Sequence, residues 1–186
     1  ILCGIASLLS EANSFNGSIY LLFQPAEEDG EGAKKILNDP LFETIKPEYV
    51  FALHNLPGYK LGQVVVKNST FSCAVNSMII SLSGKTSHAA EPEKGINPAL
   101  AISEITTVFN QKIQTDSTKN TFCLITPIYI NMGSKAYGVS AGFGEIHFTL
   151  RSNSNKNMDK IEADLVKLTN EIAHKHKLIP EISWNN

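Results

Sequence analysis

No apolar run in this chain approaches the roughly 20 residues that span a bilayer, so nothing in it reads as a membrane helix. Charge of one sign is equally scarce. Against 16 Lys and Arg stand 18 Asp and Glu, and the formal net charge of -2 offers no electrostatic footprint for nucleic acid or anionic lipid. Cysteine is limited to Cys3, Cys73 and Cys123, odd in number, widely spaced and set in apolar surroundings. Such a set fits reduced core thiols rather than a disulfide framework or a zinc knuckle. Internal repeats and low-complexity tracts are missing, and the visible N-terminus is not a signal peptide. These absences favour a cytoplasmic location, where the glycosylation patterns at Asn16-Gly17-Ser18 and Asn68-Ser69-Thr70 are idle. Core material, by contrast, is ample: 42% of the 186 residues are hydrophobic, enough for one complete small domain and part of another.

The hydrophobic pattern changes character near residue 67. Over 1–67 helix and strand alternate: Leu2, Ile5, Leu8 and Leu9 lie at helical spacing, and the chain opens inside that pattern without Met or a capping residue. Ile19-Tyr20-Leu21-Leu22-Phe23 and Tyr49-Val50-Phe51-Ala52-Leu53 are continuous apolar runs suited to strands of an α/β sheet buried on both faces. A short helix is expected around 33–38, after the mobile turn at Gly30 and Gly32. Over 68–186, Met78, Ile80 and Leu82 alternate as a strand. Asn97 as N-cap, with Pro98 at the first helical position, opens a helix whose stripe is Ile102, Ile105, Phe109 and Ile113. Strands are expected over 121–130 and 144–151, a second helix carries Ile161, Leu165, Leu168 and Ile172, and a last strand covers 179–184. The order βαββαβ predicts an α+β sandwich of ferredoxin-like kind.

Chemistry concentrates where the two apolar runs end. Phe23-Gln24-Pro25-Ala26-Glu27-Glu28-Asp29-Gly30-Glu31-Gly32 follows the first, and Ala52-Leu53-His54-Asn55 closes the second. Open α/β sheets place their ligands at such strand ends. Successive side chains of an extended segment point in opposite directions, so Glu27 and Glu28 cannot face one ligand atom and divide into two roles. A glycosidase pair is disfavoured, because its carboxylates must face one another across roughly 5 to 9.5 Å. Carboxylate oxygen and imidazole nitrogen suit zinc, and manganese, cobalt or nickel in its place. Taken alone, an adjacent Glu pair reads as a solvated loop and a lone strand-end histidine as a hydrogen-bonded structural residue. Asp29 and Glu31 read as loop charges. His147, His174 and His176 read as surface or helix-end residues.

Gln24-Pro25-Ala26-Glu27-Glu28, Ala52-Leu53-His54-Asn55-Leu56-Pro57-Gly58 and Ser83-Gly84-Lys85-Thr86-Ser87-His88-Ala89-Ala90 together closely resemble the M20 metallopeptidase and amidohydrolase family, over essentially the whole chain. The resemblance implies a partial catalytic domain over 1–67 and a lid and dimerisation domain over 68–186. It implies two divalent metal ions, an N-acyl amino acid or small-peptide substrate, and a homodimer formed through the lid. Glu27 would be the general base, and Glu28 and His54 metal ligands. His88 would reach the partner subunit's active site to polarise the scissile carbonyl, and Arg151, at the end of a strand, would contact the substrate carboxylate. Two departures stand out. Gly138-Val139-Ser140-Ala141 replaces an Asn-Val-Ile-Pro run, removing an amide that grips substrate backbone. The first and last metal-binding segments are expected outside residues 1–186, so the chain alone is expected to be inactive. The competing expectation is a non-catalytic dimerisation or ligand-binding module, against which the intact Glu27, Glu28 and His54 argue.

Overall fold

A computed structural model describes residues 1–11, 15–27, 31–68 and 71–185. The chain divides into two compact units, Ile1–Val65 and Val66–Asn186. Among the described residues of the first unit there are three helices: α1 (Leu2–Glu11), α2 (Glu31–Leu37) and α3 (Phe42–Ile45). The strands expected at 19–23 and 49–53 are not formed: no ladder hydrogen bond engages either run among the described residues. Tyr20, Phe23, Tyr49 and Phe51 remain exposed. The physical reason is that a strand is defined by its neighbours. An apolar run supplies side chains for a sheet but not the partner whose N–H and C=O groups complete it.

The second unit contains its own partners. Strands β1 (Ala74–Ser83), β3 (Cys123–Met132), β5 (Phe143–Ser152) and β6 (Ile179–Asn185) form one sheet in the order β3-β5-β1-β6, all neighbours antiparallel. Helices α4 (Ala99–Asn110) and α5 (Asn155–Lys175) intervene, giving the sequence order β-α-β-β-α-β for the long elements. A two-stranded ladder, β2 (Ser87–His88) with β4 (Val139–Ser140), stands beside the sheet as a separate pair.

Period-two alternation sets the faces. Met78, Ile80 and Leu82 of β1 and Ile146, Phe148 and Leu150 of β5 are buried against Ile105 and Phe109 of α4 and Leu165 of α5. Each such side chain contributes roughly 1.5–3 kcal/mol by leaving water. The Phe109 and Phe148 rings meet at 4.9 Å between centroids. Helix α4 begins one residue later than its sequence suggests, with Pro98 at the N-cap, yet the Asn97 carboxamide still accepts the Ala99 N–H at 2.8 Å. Helix α5 starts at the Ser154 hydroxyl, which accepts the Asn157 N–H at 3.2 Å. Edge strand β3 carries a register shift between Pro127 and Tyr129, beside a proline that has no N–H to give the ladder.

Of the three cysteines only Cys123 is a core thiol, and burial pushes its pKa up. Cys3 and Cys73 are exposed, against the sequence expectation, because helix α1 buries no residue and Cys73 precedes β1 on an exposed stretch.

Two features give measurable stability effects. The Thr169 hydroxyl on α5 is fully buried and has no hydrogen-bond partner among the described residues. An unsatisfied buried hydroxyl costs about 1–3 kcal/mol, so Thr169→Val should raise the urea midpoint with an unchanged m value, by about 1 kcal/mol in stability. Across the helix pair, Lys175 Nζ donates to Glu104 Oε1 at 2.7 Å and His176 Nε2 to Glu104 Oε2 at 2.7 Å. Lys175 first, then His176, hold the Glu104 carboxyl below its ordinary value of 4.5. A carboxyl depressed in the folded state stabilises fully above its unfolded value and loses that contribution as pH falls through the folded one. The thermal midpoint of Glu104→Gln should therefore lie below wild type at pH 7 and converge with it in acid.

Candidate functional site

The described part of the acidic motif, up to Glu27, packs against one glycine. Ala26 adopts a left-handed φ of 54°, and the Gly32 N–H donates to the Ala26 carbonyl at 3.4 Å. A Cβ on Gly32 would lie 1.8 Å from the Pro25 carbonyl oxygen, so only glycine lets α2 start against this turn. Glu27 is held there on an exposed corner. Glu28, with Asp29 and Gly30, lies outside the described residues.

His54 is exposed, and its Nδ1 lies 2.8 Å from the Asn55 carbonyl oxygen. A carbonyl only accepts, so Nδ1 carries the proton and Nε2 presents a lone pair, the form in which imidazole binds a cation. The fit with a divalent ion is therefore chemical: a carboxylate oxygen and a free imidazole nitrogen. In number it falls short, since no three His, Cys, Asp or Glu gather into a group able to hold an ion among the described residues.

In the second unit His88 occupies β2, where it pairs with Val139 of β4. Its ring has the opposite tautomer. The Ala90 N–H donates to Nδ1 at 3.1 Å, which leaves the proton on Nε2 and makes the exposed edge a hydrogen-bond donor. Arg151 is exposed on β5, opposite Val75 of β1 and Leu124 of β3. It lies about 27 Å of extended chain from Phe143, where β5 leaves the β2–β4 side. Within one chain, His88 and Arg151 thus cannot grip the same small ligand. His147 is tied by Nε2 to Glu145 Oε1 at 2.8 Å and meets the Tyr129 ring at a tilt of 49°, as a structural face residue.

The sequence treats Asn97 only as a helix cap and gives Ser140 no role, yet the Asn97 Nδ2 donates to Ser140 Oγ at 3.0 Å beside a cavity of about 470 Å3. They are 43 residues apart, and no local spacing could have joined them.

An antiparallel sheet backed by two helices, joined in sequence to a helical unit bearing an exposed carboxylate and imidazole, makes this a mixed α/β protein. Its sequence profile narrows the class. The profile of peptidase family M20/M25/M40 matches residues 1–183, and the chain belongs to that family. It is 30% identical to N-acetyl-L-cysteine deacetylase of Bacillus subtilis over 100% of this chain and 44% of that protein. It is 26% identical to hippurate hydrolase of Campylobacter jejuni over 97% of this chain and 47% of that protein. Among solved structures, the Bacillus subtilis YXEP protein, a dinuclear metal binding peptidase from the M20 family, superposes with a TM-score of 0.65 at 20% identity. That match covers 88% of this chain and 39% of YXEP. The chain therefore spans about half the length of the relatives it matches. No helix among its described residues is long and apolar enough to cross a membrane.

Proposed function

We propose that the full-length protein is a metal-dependent hydrolase of the amide bond in N-acyl amino acids or small peptides. The observation that carries this reading is the pairing of opposite imidazole tautomers: His54 offers a lone pair to a cation, and His88 offers a proton to a carbonyl. Membership of a family whose relatives include a deacetylase and a hippurate hydrolase supports the same bond type.

His54 Nε2 and Glu28 would hold metal, with the remaining ligands outside residues 1–186. Two bound cations, zinc or else manganese, cobalt or nickel, would supply the Lewis acidity that lowers the pKa of water from about 15.7 toward 7. Glu27 accepts the proton of the attacking water and delivers it to the departing amine, so that one carboxylate serves as base and then acid. The His88 Nε2–H donates to the carbonyl oxygen as negative charge builds there.

Residues 68–186 act as a ferredoxin-like lid that also forms a homodimer, and His88 serves the partner subunit's site. Support comes from the open edge of β3, where Ile128 and Ile130 are more than half exposed, at 58% and 53%. Arg151 then holds a substrate carboxylate at a site other than the one its own His88 reaches. Among the described residues no three His, Cys, Asp or Glu gather, which supports weak metal binding by residues 1–186 alone. Amine release from N-acetyl and N-benzoyl amino acids should accordingly appear with the full-length protein and be missing with residues 1–186. No release from the full-length protein with bound metal would refute the reading.

A further inference from the structure

A second cavity of about 470 Å3 opens at the end of β5 remote from the β2–β4 ladder, where the chain turns from that strand into α5. Every described residue that lines it is Lys, Ser or Asn, and none is acidic, aliphatic or aromatic. Three of them are cations. Lys156 and Lys160 lie one turn apart on α5, and Lys67 comes to the same cavity from the segment ahead of β1. No ion pair or hydrogen bond engages any of these three ammonium groups among the described residues, whereas Lys175 on the same helix meets Glu104 at 2.7 Å. Like charges four residues apart on a helix repel, so a counter-charge here would relieve a cost. In a chain of net charge -2, three uncompensated positive charges around one cavity reverse the local sign.

The walls are tied down from behind. Asn153 Nδ2 donates to the Lys119 carbonyl at 2.9 Å, and Asn157 Nδ2 donates to the Phe122 carbonyl at 3.1 Å and to the buried Ser152 Oγ at 2.7 Å. Ser154 Oγ accepts the Asn157 N–H, so its hydroxyl proton has no acceptor among the described residues. The Ser117 hydroxyl and the Asn120 carboxamide have no partner there either. These groups offer protons, and an anion rich in acceptor oxygens satisfies them.

We propose that this cavity binds a small di- or polyphosphate anion, with Lys67, Lys156 and Lys160 neutralising its charge and the Ser117, Asn120 and Ser154 side chains donating to its oxygens. The inference goes beyond the amide-hydrolase reading and does not depend on it. The lining sets the class of ligand. A nucleoside base would meet no aromatic or aliphatic surface to lie on, so the diphosphate group itself is what the cavity reads, whether free or carried by a nucleotide.

Titration of pyrophosphate into the full-length protein, followed by calorimetry at low ionic strength without added divalent ions, should show saturable binding. Lys160→Gln should weaken it roughly fivefold, and Lys67→Gln, Lys156→Gln and Lys160→Gln together roughly a hundredfold, as three exposed ion pairs compounded. Lys177→Gln, which removes the same charge beyond the far end of α5, should change the affinity by less than about twofold. ADP should bind no more tightly than pyrophosphate. Absence of saturable binding, or undiminished binding to the triple variant, which would put the anion elsewhere on the protein, would overturn the site. Equal weakening by Lys177→Gln and Lys160→Gln would reduce it to overall charge, and tighter binding of ADP would contradict recognition of the diphosphate alone.

Discussion

Glu27→Gln in the full-length protein should lower kcat by roughly 10²- to 10⁴-fold, the range a positioned acid–base group contributes, while metal content stays near that of wild type. The two halves of this expectation are separate claims. Gln is nearly isosteric with Glu and keeps the exposed turn position set by Ala26 and Gly32, so a collapse of the site cannot explain the loss. What Gln lacks is a basic oxygen able to take a proton from water and return it to the amine. Metal retention follows from the assignment of cation binding to His54 and Glu28 rather than to Glu27. Loss of metal along with activity would mean that Glu27 is a ligand, and full activity would mean that the base lies elsewhere.

Mixing two inactive variants should recover activity. If His88 serves the partner subunit, a hybrid dimer of Glu27→Gln with His88→Ala has one dead site carrying both lesions and one intact site carrying neither. Random reassembly makes half of the dimers hybrids, so about a quarter of wild-type activity returns on mixing. If His88 serves its own chain, every site in the hybrid carries one lesion and nothing returns. The geometry that motivates this experiment is the location of His88 on β2, at the opposite end of β5 from Arg151. A single small substrate cannot bridge the two within one chain, but two subunits can each supply one of them.

What the sequence revealed about the second unit followed from elements whose partners lie inside it. Met78, Ile80 and Leu82 alternate because β1 is flanked by β5 and β6 within the same chain, and all three are fully buried. The stripe Ile102, Ile105 and Phe109 is likewise buried. In the first unit the same reasoning misled. The runs 19–23 and 49–53 have the composition of buried parallel strands, but periodicity carries no information about whether a neighbour is present to pair with them. Cys3 and Cys73 were misread for a related reason, since apolar neighbours in sequence need not be neighbours in space.

The sequence offered candidate residue types but nothing of their states. Motif spacing pointed to Glu27, Glu28, His54 and His88. The tautomers of His54 and His88, which separate a ring with Nε2 unprotonated from one with Nε2 protonated, depend on backbone groups at Asn55 and Ala90. No composition or spacing encodes that difference. The Asn97–Ser140 contact depends on a loop returning across 43 residues and has no sequence signature.

The most direct test strips metal from the full-length protein with a chelator, then follows hydrolysis of an N-acyl amino acid as zinc is added back. Amine release should vanish on stripping and return in proportion to added ion, levelling off near about two equivalents per subunit. Hydrolysis that survives stripping, or none at any zinc level, would contradict a metal-dependent amide hydrolase built on Glu27 and His54.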